Sequence, residues 1–184
     1  MPAKTLVRRL IVSKLQSQSP EDRQKRSLLI QKKVLDLKAF QKSACVFFYV
    51  SLTTEVDTIA LIEKSWAMGK RVVVPLADLE NKELKLYEIA NLETDLQKGA
   101  LGILEPRPDR TKPVDLEEID LVIVPGIGFD RKNYRMGRGA GFYDRFLSKF
   151  GCDVPKIGLA FCFQVVSELP LESHDQKLDL VLTD

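Results

Sequence analysis

The chain has 184 residues, 45% hydrophobic and 29% charged, which suits one ordinary globular domain (residues 1–184) with a substantial core. The cysteines Cys45, Cys152 and Cys162 are odd in number and form no C-x-x-C pair, which argues against a disulfide framework or a cysteine zinc site and for a reducing compartment. Net charge is +2, yet residues 1–43 hold eleven Lys or Arg against three acids, a local balance of +8 that points to an anionic partner; no apolar run approaches the roughly 20 residues needed to cross a bilayer.

In chain order, Ala3, Val7, Ile11 and Leu15 recur every fourth residue, with Leu6 and Leu10 beside them, and predict an amphipathic helix. The first 19 residues carry four cations and no acid, a composition that also resembles a mitochondrial transit peptide. Ser19-Pro20-Glu21-Asp22 opens a second helix, with a capping Ser, Pro at the first position and acids in the first turn, running to about Leu37. Ala44–Ser51 is a nearly unbroken apolar, aromatic and β-branched run, read as a buried strand. A polar stretch, Leu52–Asp57, leads to a helix over Thr58–Met68 closed by Gly69, then a strand at Arg71–Pro75. Leu84–Ile89 alternates as a half-exposed strand, and residues 90–118, with Pro106, Pro108 and Pro113, read as a long, partly ordered connection.

Ile119–Val124 is a further buried strand, and Phe142, Phe146 and Phe150 mark a helical stripe. Lys156–Phe161 and Leu178–Leu182 are strands. Trp66 and Met68 are assigned to the core. Strands alternating with helices define an α/β fold with a mostly parallel sheet. Ligands of such sheets sit beyond the carboxyl ends of the strands, which directs attention to the loops after Val50 and Val124.

The strand ending at Val124 leads into Pro125-Gly126-Ile127-Gly128-Phe129-Asp130, and then Arg135-Met136-Gly137-Arg138-Gly139-Ala140-Gly141-Phe142-Tyr143-Asp144. Three alternating glycines before a helix allow positive φ and close approach of the backbone to a ligand. Successive amides in such a loop form an anion nest, and Arg135 and Arg138 add fork-shaped donors suited to phosphate. No Walker A pattern is present, and the dinucleotide fingerprint fails because its third glycine position falls on Phe142.

The run from Pro125 to Leu147 resembles the signature of the 5-formyltetrahydrofolate cyclo-ligase family, also called 5,10-methenyltetrahydrofolate synthetases. Three more elements match in order: Lys4-Thr5-Leu6-Val7-Arg8; Tyr49-Val50-Ser51 with Glu55-Val56-Asp57-Thr58; and His174-Asp175-Gln176-Lys177-Leu178-Asp179. The resemblance spans residues 4–182 and implies a three-layer α/β/α fold related to the sugar-phosphate isomerase and CoA-transferase-like group. It implies that Lys4, Thr5, Leu6, Val7, Arg8 and the segment Arg135, Met136, Gly137, Arg138, Gly139, Ala140, Gly141, Phe142, Tyr143 hold ATP. It places Val50, Glu55 and Tyr143 against the folate and Asp144 and Asp175 at Mg²⁺, with Arg135 and Arg138 stabilising the transferred phosphoryl group. The first helix is expected to be retained, since Lys4 and Arg8 belong to the site. Two positions depart from the family pattern: Ala140 where many members carry Gly or Lys, and Phe142 where Tyr is common.

The implied reaction converts 5-formyltetrahydrofolate, with or without a polyglutamate tail, and ATP to 5,10-methenyltetrahydrofolate, ADP and phosphate. A cytoplasmic monomer with no membrane or nucleic-acid partner and no catalytic Ser, Cys or His is expected. His174 is read as a solvated loop residue. Two rival readings differ in what they require. An isomerase or CoA-transferase-like enzyme would use a catalytic carboxylate and no ATP. An RNA-binding module would show salt-sensitive polyanion binding, but the chain lacks a basic patch interleaved with aromatics.

Overall fold

The computed structural model describes residues 3–99 and 102–184, with backbone only for Ala3. The two long helices form as their sequences dictate. In α1 (Ala3–Ser17), Ile11 and Leu15 are buried and Val7 packs against the core, while Leu6 and Leu10 face solvent. In α2 (Pro20–Asp36), the Ser19 side chain accepts from the Asp22 amide at 3.0 Å, and Glu21 and Asp22 sit in the first turn, where the helix dipole favours them. A short helix, α3 (Lys38–Lys42), comes next without a signal that periodicity reveals.

The first strand, β1 (Cys45–Phe47), is shorter than the apolar run Ala44–Ser51, because after Phe48 the chain leaves the ladder while remaining buried through Val50. Then come α4 (Ile59–Ala67), with Thr58 as its cap and Gly69 at φ 75° beyond its end, and β2 (Arg71–Asp78). β2 outlasts the expected Arg71–Pro75 because it turns at once into an antiparallel hairpin with β3 (Glu83–Ile89). Trp66 is half-buried and donates from Nε1 to the Ile89 carbonyl at 3.1 Å, whereas Met68 is exposed, contrary to its assignment to the core.

Residues 90–99 and 102–118 are more ordered than the prolines suggest. A turn of helix, α5 (Leu92–Asp95), precedes a two-stranded hairpin of β4 (Leu96–Lys98) and β5 (Leu104–Pro106), and β6 (Lys112–Pro113) pairs with β3. Pro106 and Pro113 both lie on edge strands, where the missing amide costs least. The remaining elements are β7 (Leu121–Val124), β8 (Gly128–Asp130), β9 (Arg135–Met136), α6 (Phe142–Leu147), β10 (Lys156–Leu159), β11 (Val165–Val166) and β12 (Leu180–Leu182).

The main sheet has the order β12-β10-β7-β1-β2-β3-β6, parallel from β12 to β2 and antiparallel at the β3–β6 edge. Strand residues divide strictly by parity, as the period of two requires. Val46, Val72, Val74, Leu121, Ile123 and Ile157 pack with residues of α1, α2 and α4 on one face. Cys45, Phe47, Val73, Val122 and Val124 pack with Phe146 and Leu147 of α6 on the other. The three-layer α/β/α expectation therefore holds, with one thin layer.

Candidate active site

Starting from the centre of the sheet, the chain moves from β1 to β2 on one side and later returns to place β7 on the other side of β1. The carboxyl ends of β1 and β7 thus diverge into separate loops, and this gap is where parallel sheets place ligands. The β1 loop carries Glu55; the β7 loop leads to the glycines.

The segment after β7 is built, not merely connecting. β8 and β9 form an antiparallel ribbon, and β11 joins it as a third strand. A Cβ on Gly126 would stand 2.5 Å from the Phe129 ring, so only glycine fits there. Asp130 is 1% exposed; its Oδ1 accepts from the amides of Lys132 and Tyr134, and its Oδ2 from that of Leu169. Together with Asn133 at φ 66°, these bonds fix the turn that feeds Arg135 into the site. The Pro125–Asp130 element is structural, and periodicity carries no sign of this small sheet.

Gly139 (φ 106°) and Gly141 (φ 70°) both need the left-handed region, where a Cβ is strained. The loop is tied from both sides. Arg8 Nε donates to the Gly137 carbonyl at 3.2 Å, and Arg145 Nη2 to the Ala140 carbonyl at 2.8 Å. α6 ends at Leu147, so the Phe142–Phe150 stripe is only partly helical and its dipole is small; the loop amides supply most of any anion affinity. The ring of Phe47 on β1 meets Phe146 at 4.7 Å and Tyr143 at 6.3 Å, which seats α6 and the glycine loop over the strand end.

Charged side chains converge here. Arg135 is 4% exposed and donates from Nη2 to Asp144 Oδ1 at 2.8 Å, with its guanidinium 5.4 Å from the Tyr143 ring centre. Burial lowers the pKa of Arg135, against the pull of Asp144, and the buried Nε has no partner among the described residues. Burial also pushes the Tyr143 hydroxyl well above its ordinary value, with Glu55 adding to the effect.

Lys4 Nζ lies 3.0 Å from Asp175 and 3.2 Å from Glu172. Burial opposes ionisation of Asp175, but the Glu172 amide and Lys4 outweigh it and hold the carboxyl below the usual range. The Gln176 amide, next in sequence, reaches Asp144 Oδ1 at 3.4 Å, which links the two aspartates. Across the gap, Arg138 Nη2 donates to Glu55 Oε1 at 3.0 Å, and Glu55 Oε2 accepts from the Leu52 amide.

Lys4, Arg8, Glu55, Arg135, Arg138, Tyr143, Asp144 and Asp175, expected at the site from the sequence, thus lie around one gap. Three others do not present side chains to it in the same way. Met136 is 1% exposed in the core and props Gly128, so only its backbone borders the loop; Val50 is 6% exposed; Leu6 faces solvent. Several contributing residues carry no clear signal in the sequence. Gln164 is buried and donates to the carbonyls of Gly126 and Ile127, inside a run that looks apolar. Arg23, Ser27 and Gln31 of α2 bond the backbone of Glu55 and Asp57, and their fourfold spacing is the one hint of it.

No group of three or more His, Cys, Asp or Glu able to hold a metal occurs among the described residues. Asp144 uses Oδ1 and Asp175 uses Oδ2 in the bonds above, so each carboxylate retains a second oxygen. That suits a magnesium site of one or two carboxylates completed by phosphate and water, and not an all-protein cage.

A glycine loop with two left-handed glycines, flanked by buried and exposed arginines beyond a parallel sheet, defines an α/β phosphate-handling protein. Comparison with known proteins narrows the class. The model of the 5-formyltetrahydrofolate cyclo-ligase family matches residues 1–184, and the chain belongs to that family. The 5-formyltetrahydrofolate cyclo-ligase of Mus musculus is 29% identical over 190 residues, covering 98% of this chain and 93% of that protein. The Escherichia coli K12 protein of the same name is 30% identical over 166 residues, covering 90% and 91%. The solved structure of Aquifex aeolicus 5,10-methenyltetrahydrofolate synthetase superposes with a TM-score of 0.84 at 32% identity, covering 98% of this chain and 89% of that one. The Mycoplasma pneumoniae synthetase, at 24% identity and a TM-score of 0.79, shares the fold.

Proposed function

We propose that this chain converts 5-formyltetrahydrofolate and ATP to 5,10-methenyltetrahydrofolate, ADP and phosphate. The observation that carries the reading is the pairing of two loops across the β1–β7 gap. One is shaped for phosphate, the other presents a carboxylate, and the Arg138–Glu55 bond joins them. The free thiols of Cys45, Cys152 and Cys162 support a cytoplasmic setting.

The chemistry requires a formamide oxygen to become a leaving group. The formyl oxygen attacks the γ-phosphorus of ATP and ADP departs. The neighbouring folate nitrogen then attacks the activated carbon, loses its proton, and phosphate leaves with the oxygen. Positioning and charge neutralisation suffice for such steps, without a covalent nucleophile.

In this reading the amides from Gly137 to Gly141 cradle the phosphates, with Lys4 and Arg8 closing from α1. Arg138 and the buried Arg135 stabilise charge on the transferring group. Glu55 accepts hydrogen bonds from N–H donors of the pterin, with the Tyr143 ring as an apolar wall and buried Val50 bordering it through its backbone. Asp144 and Asp175 hold Mg²⁺, which offsets triphosphate charge when bound with the nucleotide. Ala140 carries no cation itself, and Arg145, whose Nη2 donates to the Ala140 carbonyl at 2.8 Å, supplies positive charge beside it.

The test is the absorbance of the methenyl product. Purified protein with 5-formyltetrahydrofolate, ATP and Mg²⁺ gives a rise that disappears when either ATP or Mg²⁺ is omitted. A folded protein that gives no rise overturns the proposal.

A further inference from the structure

The loop that carries Glu55 is gripped from one face of a helix. Arg23, Ser27 and Gln31 stand four residues apart on α2 and so share one side of it. Arg23 Nη1 donates to the Glu55 carbonyl at 3.3 Å, Ser27 Oγ accepts from the Asp57 amide at 3.1 Å, and Gln31 Nε2 donates to the Asp57 carbonyl at 2.9 Å. Ser27 and Gln31 are each 1% exposed. Burying hydroxyl and amide groups costs desolvation that an apolar face would avoid. Here all three side chains bond the backbone of a three-residue stretch.

The opposite side of the loop is braced as closely. The Tyr49 hydroxyl donates to the Val56 carbonyl at 3.1 Å, Thr58 Oγ1 donates to the Tyr49 carbonyl at 2.7 Å, and Ser51 and Thr58 each accept from the other's amide. The Glu55 carboxylate, by contrast, meets only the Leu52 amide and the half-exposed Arg138 among the described residues. The backbone is immobilised and the carboxylate is left to be presented.

We infer that Arg23, Ser27 and Gln31 are positioning residues for the folate half of the site, acting through the backbone of Glu55–Asp57; this rests on the reading that Glu55 faces the folate. A binding group must be held within about half an ångström to work well, and neighbouring hydrogen bonds supply that constraint. The glycine loop shares none of the three α2 bonds: it is tied through Arg8, Arg145 and the Arg135–Asp144 pair, and meets the Glu55 side chain through exposed Arg138. Loosening the α2 grip therefore weakens folate binding selectively.

The experiment measures equilibrium binding of 5-formyltetrahydrofolate and, separately, of ADP, to the wild type and to Gln31→Leu, Arg23→Ala and Arg23→Lys. In Gln31→Leu, the part-buried Asp57 carbonyl loses its donor and the folate Kd rises about tenfold. In Arg23→Ala it rises about threefold, and Arg23→Lys, which keeps a cationic donor, restores most of the affinity. The ADP Kd stays within about twofold throughout. Arg23 is partly exposed, so its variants decide the matter if Gln31→Leu does not fold. Unchanged folate affinity in the variants, or equal losses for folate and ADP, overturns the inference. A wild type that fails to bind 5-formyltetrahydrofolate overturns the functional reading itself, and the inference with it.

Discussion

The two loops that face each other across the β1–β7 gap are held by opposite means. The Glu55 loop is fixed mainly by neutral hydrogen bonds made by buried Ser27, Gln31, Tyr49 and Thr58 to backbone groups, with the Arg23 guanidinium on the Glu55 carbonyl. The glycine loop is bordered by ion pairs: Arg135 with Asp144, Arg138 with Glu55, and nearby Lys4 with Asp175. In the proposed reading, phosphate and metal would compete directly for those partners. An exposed pair such as Arg138–Glu55 contributes only about 0–1 kcal/mol, whereas an orphaned buried polar group costs about 1–3 kcal/mol. If the proposed function holds, rigidity lies on the side that would recognise an uncharged ring and exchangeable charge on the side that would meet a polyanion.

The sharpest break of that contrast is Arg135, a charged contact of the glycine loop that is also buried. Arg135→Ala removes the counter-ion of Asp144, whose side chain is 13% exposed, and strands that carboxylate at a cost of about 3 kcal/mol. Thermal unfolding should fall by about 10 °C, and turnover in the methenyl assay by at least about a hundredfold. Glu55→Ala tests the opposite loop: folate affinity should fall by about a hundredfold, since a charged hydrogen-bond acceptor is lost. The melting temperature should move by less than about 3 °C, because the backbone braces remain. Gly139→Ala sits between these. Space is open around it, with Arg8 Nη2 3.9 Å from the added Cβ, so the cost is the φ of 106° alone, about 1–2 kcal/mol. Titration with ADP should show roughly tenfold weaker binding, with folate binding unchanged.

Much of this is legible in the sequence, for reasons that particular residues make clear. Unbroken apolar runs at Val46–Phe48 and Leu121–Val124 signal strands buried on both faces, and alternate glycines at 137, 139 and 141 signal backbone that must approach a ligand. The hidden features have a common cause: they depend on pairing between segments far apart in the chain. The ribbon of β8 and β9 is three residues against two, too short for any period to show. The hairpin of β4 and β5 is masked by prolines that sit harmlessly on an edge. Met136, expected in the loop, belongs to the core because the ribbon's alternation points it inward. Arg23, Ser27 and Gln31 look like a solvated helix face, since composition does not reveal that a loop covers it.

The smallest expected effect comes from Arg138, and Cys45 offers a way to read it. Cys152 and Cys162 are exposed, while Cys45 is buried at the amino end of β1. Burial pushes the Cys45 thiol up from 9.0 to about 11, so at pH 8 the folded protein holds it neutral and covered. Its raised folded value means that the stabilising contribution is complete below the unfolded value near 9.0 and is lost as pH rises towards 11. A thiol reagent at pH 8 should therefore label two cysteines quickly and Cys45 only when the sheet opens. Arg138→Ala, which removes a 55%-exposed partner, should leave the slow rate within about twofold. Gln31→Leu should raise it about tenfold, because a brace between α2 and the chain leaving β1 is gone. If both substitutions accelerate Cys45 labelling equally, the contrast between a braced loop and a charge-held loop is wrong, and the Arg138–Glu55 pair is part of what keeps the sheet closed.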